Sequence, residues 1–170
     1  MSVLPILTYP DPKLTIKCEP VAVIDDSIKQ QVADMIDTMY HEQGIGLAAP
    51  QVGFLNRVTT IDVNWPLAGK REPKVFINPV ITWYSDETGP YCEGCLSIPG
   101  ESVEVTRPLQ ITVEYLDLEG NKCELKTDGL FARCIQHEID HLDGKLLVDH
   151  AKPLKRQMMV KRLTKRKKLA

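Results

Sequence analysis

The chain contains no apolar run near the roughly 20 residues that a membrane-crossing helix needs, so no segment reads as a span. Its opening, MSVLPILTYPDP, has no basic region ahead of a long apolar stretch and is not rich in Arg and Ser. That segment is therefore not expected to act as a signal or transit peptide. There is no internal repeat, no Gly/Ser linker and no low-complexity run, which leaves no composition break at which to divide a core. Cysteines are few and odd in number: Cys18, Cys92, Cys95, Cys123 and Cys134. Scattered through apolar segments, they argue against a disulfide framework and for a reducing, cytoplasmic setting. Most are expected to be small buried hydrophobes.

What is present suits one soluble globular domain of 170 residues, 43% hydrophobic and 26% charged. The net charge of −2 hides an asymmetry. Residues 151–170 hold nine of the 21 Lys and Arg and no Asp or Glu, so residues 1–150 carry 12 basic and 23 acidic side chains, a net of −11. An acidic body over 1–150 with a basic extension over 151–170 points the extension at a polyanion.

Asp25, Asp26 or Ser27 can cap a helix beginning near Ile28, with Ile28, Val32, Met35, Ile36 and Met39 at helical spacing and Gly44 as a stop. The middle reads as strands: 58–64 and 74–84 are rich in β-branched and aromatic residues, and 110–117 and 122–128 flank a turn at Leu118-Glu119-Gly120-Asn121. A second helix is expected from about Asp128 to His141, ending near Gly144, and a third after Pro153, where apolar residues at 154, 158 and 163 would oppose a basic face. Strands in the middle with helices near both ends give an α+β fold: antiparallel sheets around a central helix, an N-terminal helix and a basic C-terminal one.

The central helix carries His137-Glu138-Ile139-Asp140-His141. Residues four apart lie one turn apart on one helix face, so both imidazoles can reach one metal ion. Glu138 can then take a proton from a water that the ion activates, which is the physical content of the H-E-x-x-H motif. Two surface histidines falling four apart by chance is the competing reading. Against it stand Leu130, Phe131, Cys134, Ile135, Ile139 and Leu142, which mark a helix buried over most of its surface. Buried histidines and acids need partners, and an ion supplies one. Asp140 either accepts from a ligand imidazole or faces solvent.

A catalytic site needs a third protein ligand. His41, His150, Cys92, Cys95 and several acids are candidates. Cys92 and Cys95 form a C-x-x-C pair, which also allows a closed structural site with the two histidines. However, 41 residues separate Cys95 from His137, unlike compact zinc modules. A redox C-x-x-C lacks its strand-to-helix setting. Residues 92–100 read as a tight loop around the second thiol, shaped by Gly94, Pro99 and Gly100. A second glycine-bounded loop, 43–53, reads as a helix stop followed by a close turn, and it presents the amide of Gln51, a suitable donor to an oxyanion.

Three segments resemble the motifs of the peptide deformylase family, G-x-G-x-A-A-x-Q, E-G-C-x-S and Q-H-E-x-D-H. They stand in that order as Gly44-Ile45-Gly46-Leu47-Ala48-Ala49-Pro50-Gln51, Glu93-Gly94-Cys95-Leu96-Ser97 and Gln136-His137-Glu138-Ile139-Asp140-His141. The likeness runs from Pro5-Ile6-Leu7 and Tyr9-Pro10-Asp11-Pro12 to the basic C-terminal segment. It implies Cys95, His137 and His141 as ligands of one divalent ion, Fe²⁺ in the cell with Zn²⁺, Ni²⁺ or Co²⁺ as substitutes. It implies Glu138 as general base and acid, and the Gln51 side chain with the Leu96 backbone N–H as oxyanion donors. Cys92 becomes a bystander. Gly44, Ile45, Gly46, Glu93, Gly94, Leu130 and Cys134 are the expected substrate-binding residues, with the three glycines as a tight wall that admits a formyl group. The implied partners are formyl-methionyl nascent peptides and, through the basic helix, ribosomal RNA near the peptide exit. Three positions depart from the family pattern. Arg133 stands where an apolar pocket residue is common and either points outward or narrows or polarises the pocket. Gln43 replaces a frequent acid, and 100–103 lacks an Arg that some relatives carry. A peptidase using the same helix is the enzyme alternative, but most such enzymes use a third His or Glu in place of a thiol. A structural zinc or RNA-binding protein is the non-enzyme alternative.

Overall fold

A computed structural model of the protein describes residues 2–169. In chain order its main elements are α1 (Asp26–His41), β1 (Gly46–Ala48), β2 (Val58–Ile61), α2 (Trp65–Ala68), β3 (Lys74–Tyr84), β4 (Thr88–Gly94), β5 (Ser102–Pro108), β6 (Gln110–Leu116), β7 (Lys122–Asp128), α3 (Gly129–Leu142) and α4 (Pro153–Leu169). Five strands form an antiparallel sheet in the order β1-β2-β3-β6-β7, while β4 and β5 form a separate antiparallel ribbon. This is the α+β arrangement expected from the order of elements along the chain.

Helix α1 starts at the capping site: the Asp25 carboxylate accepts from the Ile28 N–H at 3.0 Å, satisfying an orphan donor of the first turn. Val32, Met35 and Met39 bury the stripe that faces β1 and β2. The β6–β7 hairpin closes over Asp117, whose Oδ1 accepts from the N–H groups of Glu119 and Asn121 at 3.0 and 2.9 Å, while Gly120 takes the left-handed conformation at φ +85.

Helix α3 lies against β1, β2, β6 and β7 with every residue from Ala132 to Ile139 buried. Its far end is closed by Arg57, which donates to the Leu142 carbonyl at 3.0 Å and to Asp143 Oδ1 at 2.9 Å. A cation there answers the exposed carbonyls of a helix C-terminus.

Two segments differ from the sequence-based expectation. The glycine-bounded run 43–53 contains an edge strand, β1, followed by a tight turn over Ala49–Val52. Three small residues give no alternation from which a strand could be read. The stretch around Cys92 is the end of a strand, and only residues 95–101 form the loop. Gly and Pro in Thr88–Gly94 lower its β propensity, and pairing with β5 overrides that.

Helix α4 also presents a different face from the one expected. Met159 and Leu163 are buried with Leu14, Ile98, Val103, Val105 and Leu147, whereas Leu154 and Met158 are 70% and 53% exposed. Spacing alone could not choose between Met158 and Met159; the docking of α4 beside β5 does. Met159→Ala should therefore cost about 2–5 kcal/mol, the usual range for emptying a packed core site, whereas Leu154→Ala should stay within about 0.5 kcal/mol. Thermal or urea melts of the two variants check this.

Candidate functional site

Helix α3 sets His137 and His141 one turn apart with ring centroids 5.1 Å apart. The loop leaving β4 brings Cys95 to them, its Sγ 3.3 Å from His141 Nε2. One ligand atom from each of Cys95, His137 and His141 falls within 4.8 Å of the others, and this is the only such cluster among the described residues. Burial alone would push the Cys95 thiol up, but the neighbouring His141 and His137 outweigh it and hold its pKa well below the ordinary value. Burial likewise opposes charge on His137, yet hydrogen bonds to Cys95 and Glu93 raise its pKa. A half-buried thiolate between imidazoles thus calls for positive charge beside it. A soft thiolate with two imidazole nitrogens suits a borderline divalent ion such as iron, zinc, nickel or cobalt. His137 meets that role with Nδ1 already committed to Glu93, which leaves Nε2 for the ion.

Behind the cluster lies a buried charge network. Glu93 Oε1 receives the His137 Nδ1 contact at 3.0 Å. Its carboxylate also accepts from Arg107 Nε and Nη2 at 2.8 and 3.0 Å and from Arg133 Nη1 at 2.9 Å. Burial opposes the charge on Glu93, but these donors bring its pKa down to about 2. Glu93 fixes the tautomer and ring direction of His137, as carboxylates behind ligand histidines do. Asp140, the acid expected either to take a ligand imidazole or to face solvent, does neither: it accepts from Arg107 at 3.0 Å and meets His150 at 3.1 Å.

A cavity of about 640 Å³ opens beside the cluster. Its lining includes Gly44, Ile45, Gly46, Gln51, Glu93, Gly94, Cys95, Leu96, Leu130, Cys134, His137 and Glu138, so every site residue implied by the family resemblance except His141 reaches it. His141 sits beneath, against Cys95. Two carboxylate oxygens separate two roles here: Glu93 is saturated, whereas Glu138 Oε2 is buried with no hydrogen-bond partner. Burial raises the Glu138 pKa, with the two histidines opposing. Gln51 is held by its own oxygen, which accepts from the Ala48 N–H at 2.9 Å. That fixes its Nε2 toward Ser97 Oγ at 3.1 Å and Cys95 Sγ at 3.5 Å. The glycines are not equivalent. A Cβ at Gly46 would lie 2.9 Å from both Glu138 Oε1 and Cys134 Sγ, one at Gly44 would meet Leu96, and one at Gly94 would meet nothing closer than 4.0 Å. The Gly44 carbonyl is itself fixed by the Trp65 indole N–H at 2.9 Å.

The other candidate ligands stand apart. His41 is exposed beside Glu42, His150 pairs with Asp140, and Cys92 is exposed on β4. Arg133 neither points outward nor lies free: it is buried and donates to Glu93, to the Val105 carbonyl at 3.0 Å and to the Gly89 carbonyl at 2.8 Å. Arg107, Tyr91 and Trp65 were not singled out from the sequence. Arg107 carries a legible signal, since Val103, Val105 and Arg107 share one face of β5. A charged residue in an inward position demands an acid opposite it.

A helix bearing two histidines and an intervening unpaired glutamate, set against a half-buried thiol over a cavity, defines a hydrolase of the metal-dependent H-E-x-x-H class. The comparisons narrow the class. The family model for polypeptide deformylase matches residues 3–157. A peptide deformylase of Cellvibrio japonicus is 51% identical over 168 residues, spanning 99% of this chain and 98% of its own; that of Phenylobacterium zucineum is 44% identical over the full length of both chains. The crystal structure of peptide deformylase from Ehrlichia chaffeensis in complex with actinonin superposes with a TM-score of 0.92 at 42% identity, covering 98% of each chain. The structure of a peptide deformylase from Legionella pneumophila gives 0.91 at 42% identity, covering 99% of this chain and 97% of that one. The chain belongs to the polypeptide deformylase family, metal-dependent hydrolases that remove N-formyl groups from new polypeptides.

Proposed function

We propose that the protein hydrolyses the formyl group from the N-terminal formylmethionine of nascent chains, with Cys95, His137 and His141 holding one ferrous ion. The observation that carries this is the unpaired, buried Glu138 carboxylate facing the same cavity as that cluster. When bound, the ion supplies a Lewis acid that lowers the pKa of water from about 15.7 toward 7. Glu138 accepts a proton as the water oxygen bonds to the formyl carbon. Negative charge grows on the formyl oxygen, where the Gln51 amide and the Leu96 N–H donate. Each such donor is typically worth on the order of 10²–10³ in rate. Glu138 returns the proton to nitrogen as the C–N bond breaks, giving formate and a free amine. Gly44, Ile45, Gly46, Gly94, Leu130 and Cys134 line the space for the formyl group and the methionine side chain, and Glu93 acts from behind through His137. Anaerobic purification, metal analysis and a formate-release assay on formyl-Met-Ala-Ser test the reading. Formate is expected with one iron per chain, and zinc, nickel or cobalt are expected to substitute. No release with any of these ions would overturn it.

The basic helix supports a cytoplasmic site of action at the ribosome. Arg156 and Arg162 pair with Asp149 and Glu101, while Lys155, Lys161, Lys165 and Lys168 form no ion pair among the described residues. Reversing these four to Glu should abolish co-sedimentation with ribosomes, whose salt dependence should be steep, and leave formate release from the tripeptide intact. Deleting the helix is a poorer test because it removes Met159 and Leu163 from the core. Among the described residues no helix is long and apolar enough to cross a membrane.

A further inference from the structure

The main cavity borders a second one where it meets β4 and α3. Tyr91, Leu130 and Arg133 line it there, and the same three residues line a second cavity of about 240 Å³. The far side of that second space is formed by Pro90, Pro108, Leu109 and Gly129, an apolar surface with no charged side chain of its own. These three residues are thus common to both cavities; Tyr91 and Leu130 are about half exposed and Arg133 is buried. Arg133 is the fixed member. Its guanidinium is tethered to Glu93 and to the Val105 and Gly89 carbonyls, and the Tyr91 ring covers it with the centroid 5.3 Å from Cζ.

We propose that Arg133 and Tyr91 form a partition that sets the depth of the side-chain pocket, so that removing either joins the two cavities and admits unbranched apolar side chains longer than methionine. The occupant class follows from the second cavity's lining of proline, leucine and glycine. The proposal rests on the deformylase reading above. It assigns Arg133 two duties that can be separated: its stem closes the pocket, and its guanidinium shares Glu93 with Arg107.

The test measures kcat/KM for formyl-X-Ala-Ser, where X is methionine, norleucine or norleucine homologues extended by two and four methylenes. The variants are Arg133→Ala, Arg133→Met and Tyr91→Ala. A methylene newly accommodated in an apolar pocket is worth about tenfold or more in discrimination. The ratio of the longest substrate to methionine should therefore rise at least about tenfold in Arg133→Ala and Tyr91→Ala. In Arg133→Met, which keeps the stem and loses the guanidinium, the ratio should stay near wild type while metal affinity falls. Tyr91→Ala uncovers the Arg133 guanidinium but breaks none of its hydrogen bonds to Glu93, Val105 and Gly89, so it decides the matter alone if Arg133→Ala does not fold. An unchanged ratio in Tyr91→Ala and in any folded Arg133→Ala overturns the partition, as does a shift in Arg133→Met equal to that in Arg133→Ala. Failure of wild type to release formate from formyl-Met-Ala-Ser would instead sink the deformylase reading.

Discussion

Glu138→Gln should retain its metal and lose about 10²–10⁴ in kcat, the range that a positioned acid–base group contributes. The amide has the shape of the carboxylate and can still occupy the buried position, but it cannot take a proton from water or return one to nitrogen. The structure makes the experiment sharp because Glu138 supports nothing else. One of its oxygens has no hydrogen-bond partner, so neutralising it breaks no ion pair and should leave the melting temperature unchanged or raised. Metal content, melting temperature and single-turnover formate release should be measured on one preparation. Turnover within threefold of wild type would place the base elsewhere. Loss of metal would make Glu138 a structural member of the site.

The contrast between Glu138 and Glu93 shows what was legible in the sequence. Both acids lie inside motifs, and the sequence placed both at the site. It could not say that one would be saturated and the other bare, because the difference comes from Arg107 and Arg133, which arrive from β5 and α3 through long-range packing. Helices α1, α3 and α4 were readable because caps and a 3.6-residue period are local, whereas the single turn of α2 is too short to show a period. The β6–β7 hairpin was readable because Asp117 and Gly120 make its turn. Strand β1 and the β4–β5 ribbon were not, because their sequences are small, glycine-bearing or proline-bearing and become strands only through their neighbours. The face of α4 was misjudged for the same reason: two adjacent methionines satisfy the spacing equally, and only docking buries Met159.

Gly46→Ala carries the second large effect and works through the first. Gly46 pairs with Ile61 across β1 and β2, and the Asp62 N–H donates to the Ile45 carbonyl at 2.8 Å. The strand is therefore pinned on the side away from α3 and cannot easily retreat. A Cβ at this position lies 2.9 Å from Glu138 Oε1 and from Cys134 Sγ, closer than van der Waals contact permits. Both neighbours sit on the buried helix that also carries the two histidines, so the carboxylate is the group free to swing. Misplacing a reacting group by about 1 Å costs on the order of 10² in rate, so kcat should fall about 10²-fold, with the metal retained. This gives the close approach of Gly46 a cause distinct from acyl size: the glycine leaves room for the base. The two explanations separate in a double mutant. Residues that act as a unit are non-additive, so adding Gly46→Ala to Glu138→Gln should cost only a few-fold more. A full second loss would show that Gly46 acts on the substrate and not on Glu138.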